Sequence, residues 1–313
     1  MGPPQMAPLA GFAADVHSQS GEDGILAEVF RRLDPSLGPD RWCVEFGAWD
    51  GVYLSNTANL ILGSGWRAVL IEPVRERCDQ IVRNMPPQQV IALCRSVGLE
   101  APDRLDDLLA GTGIPADFEL LSIDIDGDDI HVLRSLRAHR PKVLCIEYNP
   151  TIPNEIRYEQ PIGEGVAHGS SAASIVDAAG SMGYSLVAVT ASNLILVRSD
   201  LSGLVVDPGC TSLEDLRDDS ETRCLLFVGY DGTLLTSTPV RLPWHDVTVN
   251  PGDLQVLPQQ LRRFPVQGTR SRRLLLAAWM SIHDRPAFRR WIDVRWSART
   301  ARFRRVERRR RTG

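Results

Sequence analysis

Apolar residues in this chain follow two rhythms that alternate between about position 20 and position 198. Short, nearly unbroken apolar runs at 42–46, 66–73, 90–93, 120–125, 142–147, 183–190 and 193–197 read as strands. Between the first six of them, apolar residues at helical spacing predict helices over 56–62, 74–84, 103–110, 131–138 and 170–179. One more helix precedes the first strand. Ile25, Leu26, Val29, Phe30 and Leu33 form its buried stripe, and Ser20, with Asp23 three residues on, stands where a cap is expected. Only Ala191 and Ser192 separate the last two strands, which makes them a hairpin. The expectation is α/β: a doubly wound, Rossmann-like seven-stranded sheet, mostly parallel, with an antiparallel C-terminal hairpin.

The rhythm stops after Arg198. Residues 199–222 are loop-rich and acidic, 225–228 and 247–249 can be short strands, and 252–264 and 274–298 are partly helical. This divides the chain into a loose arm at 1–16, a main domain at 17–198, a less regular extension at 199–300 and a basic, disordered tail at 301–313. The extension is a lid, a dimer surface or a small domain.

Composition narrows the classes. The 313 residues are 43% hydrophobic, ordinary for a globular protein, with net charge −4. Lys142 is the only lysine, and arginines crowd into the last fifty positions. That tail suits an anionic surface, but Phe303 is its one aromatic, so specific nucleic-acid binding is not expected. No apolar run approaches the ~20 residues of a membrane span. No secretory signal is visible, and six cysteines stand without a C-x-x-C pair, so a reducing cytoplasm and no zinc site are expected.

The candidate chemistry sits at strand ends. Glu45-Phe-Gly-Ala-Trp-Asp-Gly51 joins a strand to a helix through a glycine bend, where Gly47 and Gly51 let backbone and ligand come close. The spacing is not G-x-G-x-x-G. Glu45 and Asp50 suit a cationic ligand, such as the sulfonium and amino groups of S-adenosylmethionine, better than a pyrophosphate. Glu72, 21 residues after Gly51, ends the second strand, where a carboxylate can bind ribose hydroxyls. Asp124, Asp126, Asp128 and Asp129 follow the fourth strand. They repel one another unless a cation, hydrogen bonds or water intervene. Glu147 and Asn149 end the fifth, and oxygen ligands from adjacent strand ends are what Mg²⁺ or Ca²⁺ prefers. The long loop 151–169 carries His168, and loops of that length inside a domain tend to be functional.

Four pieces, Ser18-Gln-Ser-Gly-Glu-Asp-Gly24, Val44-Glu-Phe-Gly-Ala-Trp-Asp-Gly51, Ser122-Ile-Asp-Ile-Asp-Gly127 and Ile146-Glu-Tyr-Asn-Pro150, occur in this order. Over residues 17–198 the chain resembles class I S-adenosylmethionine-dependent methyltransferases, and more narrowly the FkbM-like family. The resemblance implies that Glu45, Gly47, Ala48, Asp50 and Gly51 hold the methionine part of the cofactor and Glu72 the ribose. Arg95 and Ser96 then lie near the adenine, while Ser122 and Asp124 close the pocket. It also implies Mg²⁺ on Asp124, Asp126, Glu147 and Asn149, although many family members work without metal. The implied acceptor is a hydroxyl on a glycan or a secondary metabolite, with His168 or a metal ion lowering the cost of losing its proton.

Two other classes compete. Asp124-Ile-Asp126 can hold the metal of a nucleotide-sugar glycosyltransferase, but then the glycine bend has no task. A non-catalytic binding module would leave the arginine tail as the active part. The phosphatase signature D-x-D-G-T is nowhere intact: Asp124-Ile-Asp-Gly127 and Tyr230-Asp-Gly-Thr233 each carry a fragment.

Overall fold

The computed structural model describes residues 6–163, 165–207, 209, 211–263 and 269–283. Its contacts divide the chain into two compact units, Met1–Thr222 and Arg223–Gly313.

The first unit is built on a seven-stranded sheet. Its strands are β1 (Trp42–Phe46), β2 (Arg67–Ile71), β3 (Val90–Leu93), β4 (Leu120–Ile123), β5 (Val143–Glu147), β6 (Tyr184–Val189) and β7 (Asn193–Arg198), in spatial order β3-β2-β1-β4-β5-β7-β6. β1 to β5 pair parallel, and β7 is antiparallel to both β5 and β6. The order reverses beside β1, between β1 and β4. Ligands of open α/β sheets bind beyond the strand ends at such a point. The expected antiparallel hairpin closes the sheet at one edge. β7 inserts between β5 and β6, so β6 is the edge strand.

Both faces are covered, which explains the apolar runs. One face presents Val44, Phe46, Val69, Ile71, Ile123 and Ile146 to helices α4 (Leu105–Leu109), α5 (Asp129–Ser135) and α6 (Ala172–Ser181). The other presents Cys43, Leu70, Leu120, Cys145 and Ile195 to α1 (Glu22–Leu33), α2 (Ala58–Ser64) and α3 (Arg75–Asn84). Lys142 is buried at the opposite strand ends. Its Nζ lies 3.1 Å from Glu119 Oε1, whose other oxygen accepts from Trp42 N at 2.7 Å.

Three local expectations are corrected. Ser20 is not the cap of α1: that position is Gly21, left-handed at φ 93° and without a side-chain capping bond. α2 begins at Ala58, because residues 55–57 turn toward Glu45. β4 stops at Ile123 rather than 125, because Asp129 pulls the N–H groups of Ile125 and Gly127 onto its carboxylate, each at 2.9 Å.

Residues after Arg198 stay on the first unit as far as Thr222. There α7 (Leu213–Leu216) leads to Arg217, which is buried and donates to the carbonyls of Pro150 and Ile152 and to Asn154 Oδ1. The second unit holds the hairpin β8–β9 (Leu226–Val228, Leu234–Thr236), the pair β10–β11 (Arg241–Leu242, Val247–Thr248) and α8 (Arg270–His283). Tyr230-Asp-Gly-Thr233 is the turn of the first hairpin, and Asp231 is committed to Thr233 N and Oγ1. The expected tail at 301–313 lies outside the described residues. No helix among the described residues is long and apolar enough to cross a membrane.

Candidate functional site

The loops after β1, β2, β4 and β5 share one edge of the sheet. Glu45, near the end of β1, is 4% exposed. Its Oε2 accepts from Ser55 Oγ at 2.6 Å and Thr57 Oγ1 at 2.7 Å, and its Oε1 accepts from Asn56 N at 2.9 Å. Burial pushes its pKa up, against the pull of those three bonds. Glu45 thus anchors the entry to α2. Asn56 continues the network to Ser122, whose Oγ accepts from Asn56 Nδ2 at 3.1 Å.

The bend has its own supports. Asp50 Oδ1 accepts from Val52 N at 2.9 Å and Tyr53 N at 2.7 Å, which closes the turn. Ala48 is buried, and Gly51 N donates to its carbonyl at 2.7 Å. Gly47, at φ 77°, lies against the backbone of Asp124. Trp49 and Leu54, at φ 49° and 55°, are left-handed without being glycine, as is Asp126 across the site at 57°. Such backbone persists only where its surroundings dictate it.

Glu72 is buried at the end of β2. It accepts from Trp49 N at 3.1 Å and Val74 N at 2.9 Å, so it ties the first bend to the second strand. Arg77 lies 3.7 Å from it and stacks its guanidinium over the Trp49 ring, 3.2 Å from the centroid. Arg95 is exposed and pairs with Asp103 at 2.5 Å, with Ser96 exposed beside it.

Asp124, Asp126 and Glu147 bring one carboxylate oxygen each to within 4.8 Å of one another. Burial, then the charges of Asp129 and Asp126, pushes Asp124 up to about 7. Burial, then the charge of Asp124, pushes Glu147 up to about 9. Burial also raises Asp129. Among the described residues no arginine or lysine forms an ion pair with Glu22, Asp23, Glu45, Asp124, Asp126, Asp129 or Glu147. The donor chemistry fits a hard divalent cation on the three clustered acids and a cationic organic ligand beside them.

Asn149 is occupied elsewhere. Its Oδ1 accepts from Thr151 N and Oγ1, and its Nδ2 donates to the His168 carbonyl at 2.7 Å. The exposed His168 places Nδ1 2.7 Å from Tyr158 Oη. Sequence reasoning missed Gln160, which organises this loop. Its Oε1 accepts from His168 N and Gly169 N, its Nε2 donates to Asp128 Oδ1 and Val166 O, and its carbonyl meets His131 Nε2 at 2.7 Å. A lone glutamine in a loop carries no pattern that would reveal this. Beyond Tyr148, a cavity of about 480 Å³ is lined by Pro150, Thr190, Arg217 and Glu221 among others.

The chain matches no family model and no curated protein. Its fold is similar to solved structures. TrmK of M. capricolum, in complex with S-adenosyl-homocysteine, is 8% identical, over 54% of this chain and 67% of its own, with a TM-score of 0.35. The CMeT domain of a citrinin polyketide synthase is 16% identical, over 59% of this chain, with a TM-score of 0.38, and the match spans 55% of that domain's chain. A SAM-dependent methyltransferase from Aquifex aeolicus is 17% identical, over 56% of this chain and 92% of its own, with a TM-score of 0.31. Likeness at this level is one of fold and says nothing of activity.

Proposed function

We propose that residues 17–198 form a class I S-adenosylmethionine-dependent methyltransferase of FkbM-like type that methylates a hydroxyl on a glycan or a secondary metabolite. One observation carries the reading. Glu45, Glu72, Asp124 and Glu147 surround a glycine bend at the reversal point of the sheet, and among the described residues only Glu72 has an arginine paired with it. A site so rich in uncompensated carboxylate favours a positively charged ligand.

When bound, the cofactor would supply a methyl group carried on a sulfonium sulfur. The chain's part is alignment and proton control. The bend from Gly47 to Gly51 holds the cofactor's methionine portion, Glu72 accepts from the ribose, and Arg95 and Ser96 stand toward the adenine. Asp124, Asp126 and Glu147 would hold Mg²⁺, whose chemistry would be to lower the acceptor's pKa. Asn149 serves as a loop brace in this reading. His168, oriented by Tyr158, is the candidate base for the acceptor proton. The polar cavity beside Tyr148 suits a hydroxyl-bearing acceptor, and residues 199–222 form part of its wall. The remainder of the extension, as a lid, a dimer surface or a small domain, and the basic tail, as a contact for anionic surfaces, complete the proposal.

Calorimetry with S-adenosylhomocysteine tests it. Saturable heat supports the enzyme, and its absence overturns it in favour of a non-catalytic module. Mass spectrometry with isotopically labelled cofactor then reads the acceptor atom. Products methylated only on nitrogen would overturn the hydroxyl assignment.

A further inference from the structure

Residues 18–23, which lead into the first turn of α1, have no task in that reading, yet they fold over the same edge of the sheet. Asp23 is 2% exposed. Its Oδ2 gathers the N–H groups of Val16, His17 and Ser18 at 2.8, 2.6 and 2.8 Å. Its Oδ1 is buried and accepts nothing. The adjacent Glu22 accepts from Asn193 Nδ2 at 3.1 Å and from Thr190 Oγ1 at 2.5 Å. Asn193, also 2% exposed, is left with a buried Oδ1 that likewise accepts nothing.

The register gives both oxygens a common setting. Asn193 stands opposite Glu147 in the β5–β7 ladder, so the two side chains leave the sheet on one face. Cys145, two residues before Glu147, pairs with Ser122, and Ser122 pairs with Glu45. Glu45, Ser122, Glu147 and Asn193 therefore share the face that α1 covers. The charge of Asp23 also reaches Glu45 and adds to the rise of its pKa.

A buried acceptor without a donor costs about 1–3 kcal/mol, so each such oxygen in a folded protein calls for a partner. Here two occur in a setting crowded with carboxylates, where no lysine or arginine among the described residues forms an ion pair. A group with several N–H donors and a positive charge answers both needs. The acids clustered closely enough to share a metal ion are Asp124, Asp126 and Glu147, and neither Asp23 nor Asn193 belongs to that cluster.

We propose that Asp23 Oδ1 and Asn193 Oδ1 receive the α-ammonium group at the amino-acid end of the cofactor. The assignment rests on the methyltransferase reading. Both oxygens are closed to solvent in this structure, so the assignment requires the segment of residues 15–20 to move aside when the cofactor binds.

Two ligands separate the possibilities. S-adenosylhomocysteine carries the ammonium group, and 5′-methylthioadenosine lacks the whole amino-acid end. Asp23→Asn keeps one oxygen for the three backbone donors and turns the free position into a donor. Calorimetry on the full chain is expected to show S-adenosylhomocysteine weakened about tenfold or more by Asp23→Asn. Binding of 5′-methylthioadenosine should stay unchanged. Asn193→Ala leaves the Asp23 loop intact and should give the same selective loss, so it carries the test if Asp23→Asn does not fold. Equal weakening of both ligands, no weakening of either, or equal wild-type affinity for the two overturns the assignment while leaving the cofactor reading in place. Wild-type protein that binds neither ligand overturns the cofactor reading and this assignment with it.

Discussion

Gly47 presents its α-carbon to the carbonyl oxygen of Asp124 so closely that a Cβ there would lie 1.8 Å from that oxygen. The bend after β1 and the acidic loop after β4 therefore pack as one unit. Gly47→Ala meets both a left-handed φ of 77° and a backbone atom that cannot swing aside. It should cost at least about 2 kcal/mol in urea unfolding and remove cofactor binding. Gly51→Ala has the same φ problem, but its Cβ meets the Met85 side chain at 3.2 Å, which can yield. Its cost should be the smaller of the two, and the reverse order would sink the argument.

Glu45 gives a second ordering. Glu45→Ala strands Ser55 Oγ, Thr57 Oγ1 and Asn56 N, and should cost about 3 kcal/mol or more. Glu45→Gln keeps one acceptor oxygen and should lose less. Equal losses in denaturant titration would mean that the three donors find other partners.

These two residues also mark how far the sequence reads. The strands were legible because a sheet covered on both faces needs continuous apolar runs, as at Trp42–Phe46. The bend was legible as a turn because glycines between an apolar strand and a helix mark a tight connection. What stayed hidden was partner choice. Asp23 looked like part of a cap, but it gathers backbone N–H groups from residues 16–18. Gln160 and the Ser55–Thr57 hydroxyls take partners that only the tertiary fold supplies. The insertion of β7 beside β5 was equally hidden, since a two-residue turn fixes the hairpin and leaves open which of its strands joins the sheet.

The acid cluster predicts a pH profile. The raised pKa values of Asp124 and Glu147 mean that the folded chain holds protons the unfolded chain has released. That stability is complete below about pH 4 and is lost as pH rises through about 7 and about 9. The melting midpoint without added metal should therefore fall between pH 5 and pH 9, by about 2–4 °C for each kcal/mol lost. Asp124→Asn should flatten the lower part of that fall. A midpoint that rises over the same range would contradict the burial of these carboxyls.

The same cluster predicts a response to metal. Cation binding replaces protons on Asp124, Asp126 and Glu147, so Mg²⁺ or Ca²⁺ should raise the midpoint more at pH 8 than at pH 5. Asp126→Asn removes one ligand from the exposed side of the cluster and should weaken the effect. Asn149→Ala should leave it intact, because Asn149 already spends both ends of its amide on Thr151 and His168. An Asn149→Ala variant that lost the metal effect while Asp126→Asn kept it would reverse the ligand assignment.

Glu72 offers the sharpest contrast with Asp23. Its two oxygens hold Trp49 N and Val74 N, yet each retains a lone pair, enough to accept from ribose hydroxyls. Arg77, at 3.7 Å and partly exposed, is too loosely paired to satisfy it. Ribose is common to S-adenosylhomocysteine and 5′-methylthioadenosine, so Glu72→Ala should weaken both by the same factor, about tenfold or more. Glu72→Gln keeps an acceptor for Trp49 N and should fall between wild type and Glu72→Ala. Arg77→Ala should change stability by less than about 1 kcal/mol, with a change in fluorescence that disappears in a Trp49→Phe background. A loss in Glu72→Ala confined to S-adenosylhomocysteine would move Glu72 to the amino-acid end, and unchanged binding of both ligands would remove its ribose role.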